Sequence, residues 1–197
     1  MKKRSLFLAM ALLMTFTYTV SAQNFSIGPR VGVNFAKTTN SNDVATKANT
    51  LMVLGITSTY SISEHTGLGV DLLYSGEGSE GGVENDLALN YIRIPVMFQY
   101  FFRDLGDDFR PKIYAGIAPG FLVNAERGET EVIDSYNKFD LAGTAGLGFH
   151  YRVSPRGIWL NTDVRYLQGF SDITESASER YNQHWQVSLG LSFGLDR

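Results

Sequence analysis

"NYIRIPVMFQYFF", residues 90–102, is the stretch whose reading decides the fold. From Tyr91 onward it divides into two interleaved sets. Ile92, Ile94, Val96, Phe98, Tyr100 and Phe102 make one face, and Tyr91, Arg93, Pro95, Met97, Gln99 and Phe101 make the other. A period of two is a β-strand whose sides meet different surroundings. Soluble strands usually run to about five or six residues, whereas a tilted strand needs roughly nine to eleven to cross a bilayer. This stretch has the second length. Pro95 brings no N–H to a ladder, so a bulge or local irregularity is expected there.

The same alternation recurs outward in both directions, at 25–37, 51–62 and 67–75 before this stretch and at 111–124, 139–152, 158–169 and 183–195 after it. In 139–152, Phe139, Leu141, Ala145, Leu147, Phe149 and Tyr151 oppose Asp140, Thr144, Gly146, Gly148, His150 and Arg152. One face is apolar or aromatic throughout; the other holds glycine, hydroxyls, amides and a few charges. A soluble sandwich or lipocalin turns its polar set to water, where Lys and Glu should abound. Here that face is poor in both and rich in glycine, which suits a narrow lumen, with the apolar face turned out to lipid. Twenty glycines and 13% aromatics against 19% charged residues point the same way.

The connections at 37–50, 76–88, 124–138 and 170–182 are long and polar; those at 63–66, 103–110 and 153–157 are short. Strict alternation of long and short is the pattern of outer-membrane barrels, long loops outside and short turns in the periplasm. Tyr60, Tyr74, Tyr91, Tyr100, Phe101, Phe102, Tyr151, Tyr166, Trp185 and Phe193 lie near strand ends, as interfacial girdles require. Ahead of the strands, Lys2, Lys3 and Arg4 precede an apolar run at 6–16, and Val20, Ser21 and Ala22 precede Gln23. That order reads as a secretory signal peptide, too short to span a membrane, with no cysteine for a lipid anchor. The expectation is all-β: a signal peptide (1–22), then an eight-stranded antiparallel up-and-down transmembrane β-barrel (23–197). It would sit in the outer membrane of a Gram-negative bacterium with both mature termini periplasmic.

The motifs "YIRIPVMFQYFF" (91–102), "YAGIAPGFLV" (114–123), "FDLAGTAGLGFHY" (139–151), "DVRYLQGFSDI" (163–173) and "VSLGLSFGL" (187–195) resemble, in this order, the PorT-type outer-membrane β-barrel family. The resemblance implies a small barrel directly after a signal peptide, and for one branch a tie to protein secretion. Such barrels often end on an aromatic residue; here Phe193 is followed by Gly-Leu-Asp-Arg.

The alternation turns Arg30, Asp71, Arg93, Asp140, Asp163 and Arg165 inward. An eight-stranded interior is only wide enough for side chains. A structural lumen network of Arg93, Asp71, Asp140, Asp163 and Arg165 is therefore expected, with Arg165 held by at least one carboxylate, rather than a gate or ion path. The acidic stretch "EGSEGGVEND" (77–86) does not have EF-hand spacing and reads as a solvated loop, not a metal site. No phosphate loop, zinc spacing or nucleophile elbow occurs, so neither cofactor nor metal is expected. No cysteine means no thiol chemistry, and a net charge of −3 without a basic block argues against nucleic acid.

Two function classes stay open. The first is a non-enzymatic barrel acting through its outer loops or envelope partners, with outer-membrane lipids around it and the barrel assembly machinery as its insertion partner. The second is a lipid acyltransferase or deacylase at the outer rim. His184 would be its base, near Ser171, Ser176, Ser178, Asp172 and Glu175, whereas His65 and His150 fall toward the periplasmic end.

Overall fold

The computed structural model describes residues 24–40, 47–80, 86–174 and 179–194. The signal-peptide segment, residues 81–85 of the acidic stretch, and Glu175, Ser176 and Ser178 lie outside the described residues. Among the described residues ten strands are formed: β1 (Phe25–Asn40), β2 (Asn49–Ser61), β3 (Thr66–Ser79), β4 (Leu87–Arg93), β5 (Val96–Phe101), β6 (Phe109–Arg127), β7 (Thr130–Glu131), β8 (Phe139–Ser154), β9 (Ile158–Gly169) and β10 (Arg180–Gly194). A short 3-10 helix, Ile133–Ser135, lies between β7 and β8.

Every pairing between these strands is antiparallel, and β10 returns to pair with β1, so the sheet has no free edge. β4 and β5 are one crossing strand interrupted at Ile94 and Pro95, while β7 is a two-residue partner of β6. Eight strands therefore make the wall, connected up and down as the alternation requires. Closure satisfies each strand's backbone polar groups within the sheet, which a lipid surround demands. The Pro95 interruption orphans little: Ile94 N–H donates to the Pro119 carbonyl at 2.9 Å, and the Pro95 carbonyl accepts from Asp71 N–H at 3.0 Å. Alternation continues unshifted through it, since Arg93, Pro95, Met97 and Gln99 are all buried.

The two faces separate sharply. Met52, Val31 and Leu147 are 62%, 58% and 60% exposed on the outside, whereas Arg93 and Asp163 are 1% exposed inside. Without lipid, the outward leucines, valines and aromatics would be a continuous exposed apolar surface that a soluble monomer does not carry. Of the aromatics placed in girdles, Tyr74, Tyr100, Phe102, Tyr151, Trp185 and Phe193 do face outward. Tyr91 and Phe101 are corrections: both are fully buried, because they share parity with Arg93 and line the interior.

Several strands run past the lengths that their apolar residues suggested. β3 continues through Gly76, Glu77 and Gly78 to Ser79, pairing with Leu87–Asn90. Backbone pairing needs no apolar side chain, so the hairpin rises beyond the apolar band. Glu77 is thereby a correction: expected in a solvated loop, it is fully buried on the inward face. At the long-loop end a cluster of Leu87, Leu89, Tyr91, Leu122, Ala125, Tyr136 and Ile173 fills the mouth, with Val132 and Ile133 packed on it. At the other end the β8–β9 turn closes on Gly157, whose φ of +77° is the left-handed conformation glycine adopts without a Cβ penalty.

Candidate functional site: two charge clusters in the barrel interior

Below the apolar cap lies an upper cluster built on Arg93. Its Nε donates to Glu77 Oε1 at 2.6 Å, and Nη2 reaches Glu77 Oε2 at 2.7 Å and also Asp140 Oδ2. Its Nη1 donates to the Ala118 carbonyl at 2.9 Å. This two-toothed grip on one carboxylate is the geometry that the planar guanidinium provides. Room for it comes from Gly120: a Cβ there would stand 2.7 Å from Arg93 Nη1. Ser171 Oγ and Asn182 Nδ2 donate to Asp140 at 2.7 and 3.1 Å, and Ser75 Oγ donates to Glu77 at 3.1 Å. His184 Nδ1 lies 3.8 Å from Glu77 Oε2. The Tyr91 ring lies 4.8 Å from the Arg93 guanidinium carbon.

Nearer the short turns, a lower cluster joins five charged groups. Arg30 Nη2 lies 2.8 Å from Asp163 Oδ2, and Arg30 also donates to Thr57 and Ser188 hydroxyls at 3.1 Å each. Lys112 Nζ is 3.2 Å from Asp163 Oδ1 and 3.1 Å from His150 Nε2. Arg165 Nη2 donates to Asp71 Oδ2 at 2.9 Å, and Asp71 Oδ1 accepts from Thr57 Oγ1 at 2.7 Å. All five are buried. Isolated ions would cost several kcal/mol each in such surroundings, which is why every carboxylate is shared between partners.

Arg93 and Asp140 thus come together in one cluster, and Asp71 and Arg165 in the other. Asp163 and Arg165, two apart on one strand, are not a pair; Asp163 instead serves Arg30 and Lys112 from across the lumen. Sequence reasoning left out Glu77, Lys112 and His184 as network members. The signal for Lys112 was present, since it shares parity with Tyr114 in the fifth alternating segment. Glu77 follows by extending the Leu73 and Ser75 face two residues further.

Among the described residues, the outer-rim candidates do not form a nucleophile–base pair. His184 is 2% exposed and faces Glu77, while the Ser171 hydroxyl donates to Asp140. Asp172 sits in the loop after β9; its Oδ1 accepts from the backbone N–H groups of Thr174 and Arg180 and from the Thr174 hydroxyl. Partial burial works against its charge, yet these three donors outweigh it and hold the carboxyl below its ordinary value. Because the folded value is the lower one, Asp172 steadies this loop above the unfolded pKa of about 3.9. That contribution should fade as pH falls through the folded value, read as smaller backbone amide protection factors at Thr174 and Arg180 once each rate is divided by its intrinsic rate at that pH. His65 remains in a short turn, 3.3 Å from Asp104 Oδ1 and 3.0 Å from the Phe101 carbonyl.

No curated protein matches the chain. Among solved structures it is similar to the Neisserial surface protein A, with 16% identity and a TM-score of 0.62 over 86% of this chain and 96% of that one. It is also similar to the outer membrane protein OprG from Pseudomonas aeruginosa, at 13% identity and a TM-score of 0.56 over 86% and 94%. A third likeness is to Ail, the attachment invasion locus protein of Yersinia pestis, at 12% identity and a TM-score of 0.50 over 86% and 99%. The sequence pattern of a family described as outer membrane protein beta-barrel domain matches residues 21–175, most of the chain. With its closed sheet and outward apolar face, the chain belongs to that family and is a barrel of the Gram-negative outer membrane.

Proposed function

We propose that this protein is a non-enzymatic barrel whose interior is sealed and whose work is done by the long loops or by envelope proteins that meet it. The observation that carries this reading is the filling of the lumen: two ion clusters under an apolar cap, their members almost wholly buried. Eight-stranded barrels have interiors that side chains can fill, and charges tied across strands resist opening. Planar-bilayer recording of the refolded protein tests the seal, and negligible steady conductance is expected. A stable ion-conducting pore would overturn it.

The enzyme alternative is disfavoured by the placement of His184 beneath the cap, turned to a carboxylate instead of a hydroxyl. Lipase and acyltransferase assays, with a His184→Ala control, should give no activity above background. The PorT-type resemblance suggests association with secretion components, which an affinity pull-down of the intact envelope complex would reveal.

The reading also sets orientation, with both mature termini and the short turns periplasmic. The chain has no cysteine, so single introduced thiols report location cleanly. On intact cells a membrane-impermeant maleimide should label Ser135→Cys, in the exposed 3-10 helix, and spare Leu105→Cys, in the turn between β5 and β6. The opposite labelling would invert the barrel.

A further inference from the structure

The lower cluster does not balance within itself. Arg30, Lys112 and Arg165 bring three positive charges to two carboxylates, Asp71 and Asp163. Both carboxylates are already shared: Asp163 lies against Arg30 and Lys112, and Asp71 receives Arg165 while standing 3.8 Å from Arg30. His150 adds no charge, since a ring nitrogen that accepts from the Lys112 ammonium belongs to the neutral imidazole.

The surplus falls on Arg165. Only its Nη2 is engaged; Nε and Nη1 are buried without a hydrogen-bond partner, on a residue 1% exposed. Gln186 is its direct register partner across β9 and β10, on the same inward face and 2% exposed. Its Nε2 is likewise a buried donor without a partner. The Arg165 guanidinium carbon also stands 5.5 Å from the centre of the Tyr114 ring. Buried N–H groups need acceptors, and a surplus positive charge in a poorly hydrated interior needs an opposite charge close by.

We infer that the lower cluster is a binding site for one monovalent anion, chloride in the cell, held by the unpaired N–H groups of Arg165 and the amide of Gln186. A neutral water could satisfy the donors but not the charge. Eight-stranded interiors hold side chains or at most one small ligand, which favours a monatomic ion over a larger oxyanion. Asp140 and Glu77 outnumber Arg93 in the upper cluster, so the two clusters balance each other; the anion is held by the local surplus, which low dielectric keeps strong at short range.

The inference rests on the sealed-interior reading, and the tests separate the two. Crystals of the intact barrel grown with bromide as the sole halide, measured at the bromine absorption edge, should show one anomalous peak beside Arg165 Nη1 and Gln186 Nε2. Water density on those donors without an anomalous peak would overturn the site while leaving conductance unchanged. Wild-type protein refolded in bromide as the sole halide and then desalted should retain about one bromide per barrel by ion chromatography of the denatured sample, beyond the micelle blank. That bromide should be lost in Gln186→Leu, which breaks no ion pair, and in Arg165→Met. Bromide retained at the wild-type level by a folded Gln186→Leu barrel would also overturn it.

Discussion

Arg93→Met should destabilise the barrel by about 3–5 kcal/mol, the range for removing one partner of a buried ion pair. The expectation follows from sharing. Arg93 is the guanidinium that both Glu77 and Asp140 contact, and all three are buried under the apolar cap. Methionine has similar length but leaves two carboxylates close together with no cation between them. The neutral triple Glu77→Gln, Arg93→Met, Asp140→Asn strands no charge, and should recover most of the loss despite carrying more substitutions. Urea unfolding of liposome-inserted protein measures both. A triple variant no more stable than the single would show that the ions themselves, and not their pairing, hold the upper lumen.

Leu147→Arg should cost about 2–4 kcal/mol, the value for arginine on the lipid face at the bilayer midplane. Leu147 lies midway along β8, 60% exposed, in register with Ile113 on one side and Val164 on the other. Gly146 next to it obeys a different rule. A Cβ there would come within 2.6 Å of the Tyr114 hydroxyl and the Val164 carbonyl, so even alanine must displace the lumen packing. The two penalties separate by environment. The Leu147→Arg cost should shrink when lipid is replaced by a small, water-permeable micelle, whereas the Gly146→Ala cost should not change. Undiminished stability of Leu147→Arg in liposomes would mean that the lipid-facing and lumen-facing sets are exchanged.

The wall of this barrel was legible because its determinant is local. A residue's side of the sheet depends only on parity, and parity survives even Pro95, so Ile92 through Phe102 alternate in the structure as they do in the sequence. The site was legible only in part. Parity says that Asp163 and Arg165 point inward but not that Asp163 reaches Arg30, which lies on a strand two places away around the barrel. Partnership across the lumen depends on strand stagger and side-chain length, neither of which spacing encodes. Glu77 was misread for a different reason. Composition marks where the apolar band stops, whereas the sheet continues for as long as backbone groups find partners, and a glycine-rich stretch flanked by Leu73 and Leu87 can be either loop or hairpin until the pairing is known. The apolar cap escaped notice because Tyr136 and Ile173 lie in segments that look merely polar, and only closure of the barrel brings them to Leu89 and Leu122.

The cap also divides the molecule into parts with separate freedoms. Beneath it, positions such as Arg93, Asp163 and Gly146 are constrained by ion pairs or a missing Cβ; at its level, the connecting segments supply Val132, Ile133, Tyr136 and Ile173 to the cap itself. Loops tolerate insertion and replacement when the scaffold does not depend on them. The barrel is therefore a mount with fixed anchor points: a segment joining two strands can be traded for foreign sequence so long as Val132, Ile133, Tyr136 and Ile173 keep their places in the cap.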